Sequence, residues 1–229
     1  MKKEVKAPIS EIFCSYQGEG LFAGEKQIFV RFSGCNLSCS YCDEPAAREK
    51  GKLTAVKEVF ERILKLSSHC KTKSVSFTGG EPMLYADFLV ILAKKLYSKK
   101  YRLRLETNAS LPEKLNDIID FFEHISADIK LPSQTGKNTF DKHREFIKKA
   151  EKKACIKIVL SKKTPVKEFQ KAVSMIKKEF KNIPVFIQPE SSDFFPKKNI
   201  GDYKKFLSKS DCLPNVRFLP QLHKMWGIK

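Results

Sequence analysis

Short apolar, β-branched runs alternate along this chain with longer stretches in which apolar residues return every three or four positions. Residues 27–33 form the first such run and predict a strand. From Thr54, a residue able to cap a helix, Val56, Val59, Phe60, Ile63 and Leu64 fall on one helical face, predicting a helix to residue 67. The rhythm then continues with strand 74–77, helix 85–97, strand 102–106, a helical stretch 115–120, a strand within 122–129 and helix 138–152. Strand 155–160, helix 166–180, strand 185–188, helix 203–208 and strand 216–219 close the series. Strands separated by helices call for parallel neighbours joined by right-handed crossovers. No linker or low-complexity segment interrupts the pattern, so the expectation is a single domain over residues 1–229, an α/β partial barrel of mostly parallel strands.

In such a sheet, ligands bind where strand C-termini open into loops. The polar residues sit there. Cys35-Asn36-Leu37-Ser38-Cys39-Ser40-Tyr41-Cys42 follows the first predicted strand, and Gly79-Gly80-Glu81-Pro82 the second. Glu106-Thr107-Asn108 follows the third, residues 126–130 the fourth, and Gln188-Pro189-Glu190 the sixth.

The cysteine run carries the most chemistry. Three closely spaced thiolates can hold three irons of a [4Fe–4S] cluster and leave the fourth iron open for a ligand. A structural zinc site normally takes four Cys or His ligands, and no second cysteine pair follows. Spacing i, i+4, i+7 would line a helix face, but Gly34, Asn36, Ser38 and Ser40 suit a loop better. The total of seven cysteines is odd, and the charged N-terminus has no apolar run behind it, which argues against a secreted disulfide framework and for the cytoplasm.

Two glycines at Gly79-Gly80 permit close approach of backbone to a ligand, or simply make a turn. Ser15-Tyr16-Gln17-Gly18-Glu19-Gly20 is either a plain turn or a rim offering Gln17 and Glu19 to a nitrogen-rich ligand. Arg31, between Val30 and Phe32, needs an anionic partner if buried; a ligand carboxylate and a structural ion pair both answer that need.

The formal net charge of +18 comes from lysines spread over predicted helix surfaces, with no base-reading motif beside them, so nucleic acid is not expected as a partner. No apolar run reaches the roughly 20 residues that span a bilayer, so no membrane association is expected either.

The spacing Cys-x3-Cys-x2-Cys with Tyr41 before its last cysteine matches the radical S-adenosylmethionine (SAM) enzymes, in which SAM chelates the fourth iron and yields a 5′-deoxyadenosyl radical. The wider set of motifs, from Ser15-x-Gln17-Gly18-Glu19-Gly20 through Thr78-Gly79-Gly80-Glu81-Pro82 to Gln221-x-His223-Lys224, resembles the 7-carboxy-7-deazaguanine synthases of queuosine and archaeosine precursor biosynthesis. That resemblance implies conversion of 6-carboxy-5,6,7,8-tetrahydropterin to 7-carboxy-7-deazaguanine with loss of ammonia, after hydrogen abstraction at C6. It implies cluster ligands Cys35, Cys39 and Cys42, and a SAM site of Tyr41, Asp43, Gly79, Gly80, Glu81, Ser126, Asp128, Gln188 and Glu190. Tyr16, Gln17, Gly18, Glu19, Arg31, Thr78, His223 and the C-terminal carboxylate of Lys229 would contact substrate. A homodimer and a reductant such as flavodoxin or ferredoxin are implied as well. The family's Mg²⁺ is held by a hydroxyl residue directly after Cys-Asp; here that position is Glu44, which can bind the cation or form a salt bridge instead. The competing functions are a glycyl-radical enzyme activase of the same superfamily and a non-catalytic metal-binding module associated with RNA.

Overall fold

A computed structural model describes residues 4–45, 51–194 and 199–228. Nine strands form one sheet: β1 (Lys6–Tyr16), β2 (Lys26–Phe32), β3 (Lys52–Ala55), β4 (Ser74–Gly79), β5 (Arg102–Thr107), β6 (His124–Asp128), β7 (Ala154–Leu160), β8 (Val185–Pro189) and β9 (Val216–Phe218). Their order is β3-β1-β2-β4-β5-β6-β7-β8-β9, with no pairing between the two end strands among the described residues, so the barrel is partial. From β2 to β9 every pairing is parallel; β1 pairs antiparallel with both β2 and β3.

The helices are α1 (Val56–Cys70), α2 (Ala86–Ser98), α3 (Pro132–Thr135), α4 (Phe140–Ala150), α5 (Val166–Glu179), α6 (Ser191–Phe194), α7 (Lys204–Ser210) and α8 (Leu222–Trp226). The crossover helices lay one apolar stripe on the sheet: Val59 and Ile63 of α1, Leu89 and Leu92 of α2, Phe146 and Ile147 of α4, Phe169 and Ile176 of α5 are buried. Phe32 anchors this core, with its ring 6.4 Å from Phe77 and 5.9 Å from Phe88. Each such aromatic contributes on the order of 2–3 kcal/mol by leaving water.

The sequence rhythm holds for the parallel strands and their crossovers, with three differences. The chain's first strand is β1, which the pattern missed. A bulge between Ile9 and Glu11 shifts its register against β2 and breaks the alternation on which a strand is recognised. Thr54 is not a helix cap: it lies in β3, its hydroxyl donates to the Lys52 carbonyl at 2.8 Å, and Ala55 precedes the helix without a side-chain cap. Residues 115–120 hold no α-helix; short 3-10 turns at Pro112–Lys114 and Ile119–Phe121 bury Leu115 and Ile118 instead. No helix among the described residues is long and apolar enough to cross a membrane.

Candidate active site

Where the parallel strands end, their loops enclose a cavity of about 630 Å³. Its size is that of a small-molecule site.

The cysteine loop forms one wall. Gly34, at φ +87°, turns the chain out of β2. The loop is then fastened at several points. Ser40 N–H donates to the Gln134 carbonyl at 2.9 Å, Tyr41 donates to Gln134 Oε1 at 3.2 Å, and Asn36 Nδ2 donates to Ser110 Oγ at 2.8 Å. Cys35, Cys39 and Cys42 all face the cavity, and none of the three is in a disulfide. Burial pushes the Cys35 and Cys39 thiols up; the backbone N–H of Leu37 opposes this at Cys35, and the Lys130 ammonium opposes it at both. Asn108 Nδ2 lies 3.8 Å from Cys35 Sγ and 2.9 Å from Asn36 Oδ1. Among the described residues no three His, Cys, Asp or Glu side chains converge on one metal ion. A cluster asks for something else, one thiolate per iron, and soft sulfur donors on one loop fit it.

The second wall is the end of β4. A Cβ on Gly79, at φ +119°, would collide with the Phe32 carbonyl and lie 2.5 Å from its nitrogen, so only glycine lets the two chains approach there. Gly79 and Gly80 face the cavity; Glu81 does not. Fully buried, Glu81 accepts from Asn108 N at 2.7 Å, Thr107 Oγ1 at 2.7 Å and Met83 N at 3.0 Å. Burial pushes its carboxyl up to about 7 against the pull of those donors. It ties its own loop after β4 to the loop after β5 rather than standing free for a ligand ammonium.

Strand register builds the third wall. Asp128 and Lys157 are cross-strand partners, as are Arg31 and Thr78, and Glu106 and Ser126. Lys130 donates to Asp128 Oδ2 at 2.8 Å and to Tyr41 Oη at 3.3 Å. The other oxygen, Asp128 Oδ1, is buried with no partner in the protein, beside the cavity. A buried carboxylate oxygen left unpaired is costly unless a ligand donor reaches it. It fits the hydroxyls of a nucleoside such as SAM.

The rim closes the far side. Gln17 donates to Glu106 Oε1 at 2.7 Å, Thr78 donates to Glu106 Oε2 at 2.8 Å, and Ser76 adds a bond to Oε1 at 3.3 Å. Glu19 accepts from Lys157 Nζ at 2.7 Å, Gln221 Nε2 at 2.5 Å and Gln188 Nε2 at 3.3 Å. Burial alone would raise the Glu19 carboxyl; Lys157 and its other donors hold it at about 2. Gly18 carries α8: its carbonyl accepts from Leu222 N at 2.9 Å and its α-carbon packs on His223. Burial lowers the His223 imidazole.

Of the residues expected at the site, the cysteines, Tyr41, Asp43, Gly79, Gly80, Ser126, Asp128, Tyr16, Gln17, Gly18, Glu19, Arg31, Thr78, His223 and Glu44 line this one cavity. Gln188 reaches it only through Glu19, and Glu190 turns away, its Oε1 accepting from Ser192 at 2.7 Å. Lys229 lies outside the described residues. Arg31 takes the ion-pair reading: it pairs with Glu11 at 3.1 Å and with Glu44. Glu44 therefore has a cationic partner from the protein. Among the lining residues without a role in the sequence reading are Glu106, Asn108, Lys130 and Lys157. Lys157 had a readable signal, a lone charge inside the apolar run Cys155-Ile156-Lys157-Ile158-Val159.

Residues 29–176 match the family model described as the Radical SAM superfamily. The 7-carboxy-7-deazaguanine synthase of Methanopyrus kandleri is 33% identical over 95% of this chain and 92% of its own. That of Archaeoglobus fulgidus is 33% identical over 98% and 100%. That of Methanothermobacter thermautotrophicus is 46% identical over a shorter stretch, 58% of this chain and 53% of its own. In fold, the chain is similar to the crystal structure of QueE from Escherichia coli, with TM-score 0.65, 19% identity and 94% of each chain covered.

Proposed function

The chain belongs to the 7-carboxy-7-deazaguanine synthases of the radical SAM superfamily, and from that premise we propose how its own residues carry the activity. The substrate is 6-carboxy-5,6,7,8-tetrahydropterin and the products are 7-carboxy-7-deazaguanine and ammonia. Cys35, Cys39 and Cys42 would hold a [4Fe–4S] cluster, which together with SAM would supply the radical chemistry that removes a hydrogen atom from substrate C6.

The protein's part is placement. Asn108 and the Leu37 backbone N–H stand beside the Cys35 sulfur, where N–H groups favour extra negative charge. Asp128 Oδ1 would accept from a SAM hydroxyl, and Gly79-Gly80 would let the amino-acid end of SAM lie against the backbone. Glu19, Glu106 and Gln17 face the pterin's N–H edge. The arrangement of Glu19 and Glu106 carries this reading. Two carboxylates, each fixed by internal donors, border one cavity with the three thiols, and fixed acceptors select a ligand rich in N–H groups over a protein backbone. That favours a pterin over a glycyl-radical protein as substrate.

Arg31 is already paired with Glu11 and Glu44, so its role in this chain is that ion pair rather than a free clamp for the substrate carboxylate. Mg²⁺ would have to displace Arg31 from Glu44. In this chain the Arg31–Glu44 pair stands in the cation's place, and turnover survives a chelator that spares the cluster. A strict Mg²⁺ requirement would contradict that assignment. Reconstitution to four irons per chain, with SAM cleavage and pterin conversion under dithionite, tests the whole reading; stoichiometric zinc and no SAM cleavage would overturn it.

A further inference from the structure

Lys157 is assigned no ligand. It sits within β7, between Ile156 and Ile158, and lines the cavity. Its Nζ bridges Glu19 Oε2 at 2.7 Å and Asp128 Oδ2 at 3.3 Å. Glu19 belongs to the substrate-facing rim and Asp128 to the SAM side. Resting on that reading, we propose that Lys157 is the positioning residue for substrate affinity, holding Glu19 in the one orientation in which it can accept from the ligand's N–H edge.

The accounting of lone pairs supports this. Glu19 Oε1 already accepts from Gln188 and Gln221, whereas Oε2 accepts from Lys157 and keeps one lone pair for the cavity. Lys157 thus decides where that free lone pair points. The β6–β7 register fixes Lys157 in turn, because Asp128 is its cross-strand partner and Asp128 is itself anchored by Lys130. Without Lys157, Glu19 keeps two neutral amide donors and the His223 imidazole as the other titratable group acting on it, while Asp128, Lys130 and Glu106 are the further charged groups that face Lys157. A buried carboxylate stripped of its cation moves up in pKa and loses its fixed geometry.

The test is steady-state kinetics of the holoenzyme on 6-carboxytetrahydropterin across about pH 8 to pH 5.5. The proteins are wild type, Lys157→Met, Lys157→Arg, Glu19→Gln and Glu19→Gln/Lys157→Met. Loss of a buried partner predicts a KM increase of about a hundredfold for Lys157→Met, with kcat falling by much less. That KM climbs further as pH falls, relative to wild type, and Lys157→Arg recovers most of the loss. The double variant has the KM of Glu19→Gln alone and no added acid limb. Should Lys157→Met fail to accumulate, the double variant, which leaves no carboxylate unpaired at Glu19, still decides the matter through that equality. Parallel losses in kcat and KM, additive double-variant effects, or a pH-flat Lys157→Met would each overturn the role of Lys157 while wild type still converts the pterin. A wild type that converts no pterin would overturn the substrate reading and this inference with it.

Discussion

At the scale of single residues, the site divides into side chains that meet ligands and side chains that hold other side chains. Glu81 belongs to the second kind. Its carboxylate faces three donors and no acceptor, so an amide there would aim N–H at N–H. Glu81→Gln should therefore destabilise the fold by about 2–4 kcal/mol, read as a lower denaturation midpoint in the cluster-free protein. An unchanged midpoint would return Glu81 to the ligand-binding role that the Gly79-Gly80-Glu81 motif suggested. The sequence made the cysteines legible because their spacing alone carries the chemistry. It could not separate Glu81 from Glu106, since both follow strands near glycine or asparagine. Only burial shows that Glu81 is sealed beneath the loops while Glu106 borders the cavity with Gln17 and Thr78 in its grip. Arg31 was undecidable for a similar reason: its partners Glu11 and Glu44 come from β1 and the cysteine loop, far apart in sequence.

At the scale of elements, the chain closes the site by laying α8 across the rim. The contact is Gly18 against His223, with Gln221 bonded to Glu19 on one side and to Asp43 Oδ2 at 2.8 Å on the other. A Cβ at Gly18 would overlap His223 Nδ1 and come within 2.7 Å of its backbone nitrogen. Gly18→Ala must then push α8 outward. The expected result is a KM for the pterin raised by about tenfold or more, the cost of a misplaced binding segment, with SAM affinity by equilibrium dialysis changed far less. Equal losses for both ligands would mean that α8 does not act on the substrate side alone. The elements themselves were readable wherever an apolar strand met an amphipathic helix. β1 was not, because its bulge hides the alternation, and the rim motif consequently looked like a turn in open chain rather than the end of a strand paired with β2.

At the scale of the whole molecule, two buried histidines set the response of stability to pH. Burial holds both His124 and His143 at about 4. Arg104 adds to the lowering at His124, and at His143 the Asn108 carbonyl opposes it only in part. Both therefore stay neutral when folded and charge near pH 6.5 when unfolded. Their contribution is fully present above that value and is lost as pH falls toward 4. Between pH 7 and pH 5 the loss should be roughly 3 kcal/mol, measured by urea denaturation, and His143→Gln should remove part of it. A stability flat over that interval would contradict the burial of both rings. The parallel sheet was legible as a whole because every crossover repeats one pattern, whereas the network Gln221–Glu19–Lys157–Asp128–Lys130 joins positions up to 202 residues apart and exists only once the sheet is registered.

That network would matter little if the cavity did not place substrate C6 against the radical source. The direct measurement is anaerobic turnover of 6-carboxytetrahydropterin deuterated at C6, with SAM and dithionite, followed by mass analysis of the SAM recovered. Because the family resemblance implies that a hydrogen returns after rearrangement and regenerates SAM, deuterium entering SAM as 7-carboxy-7-deazaguanine accumulates is the predicted result. Unlabelled SAM, or its stoichiometric loss to unlabelled 5′-deoxyadenosine without that product, would contradict the account.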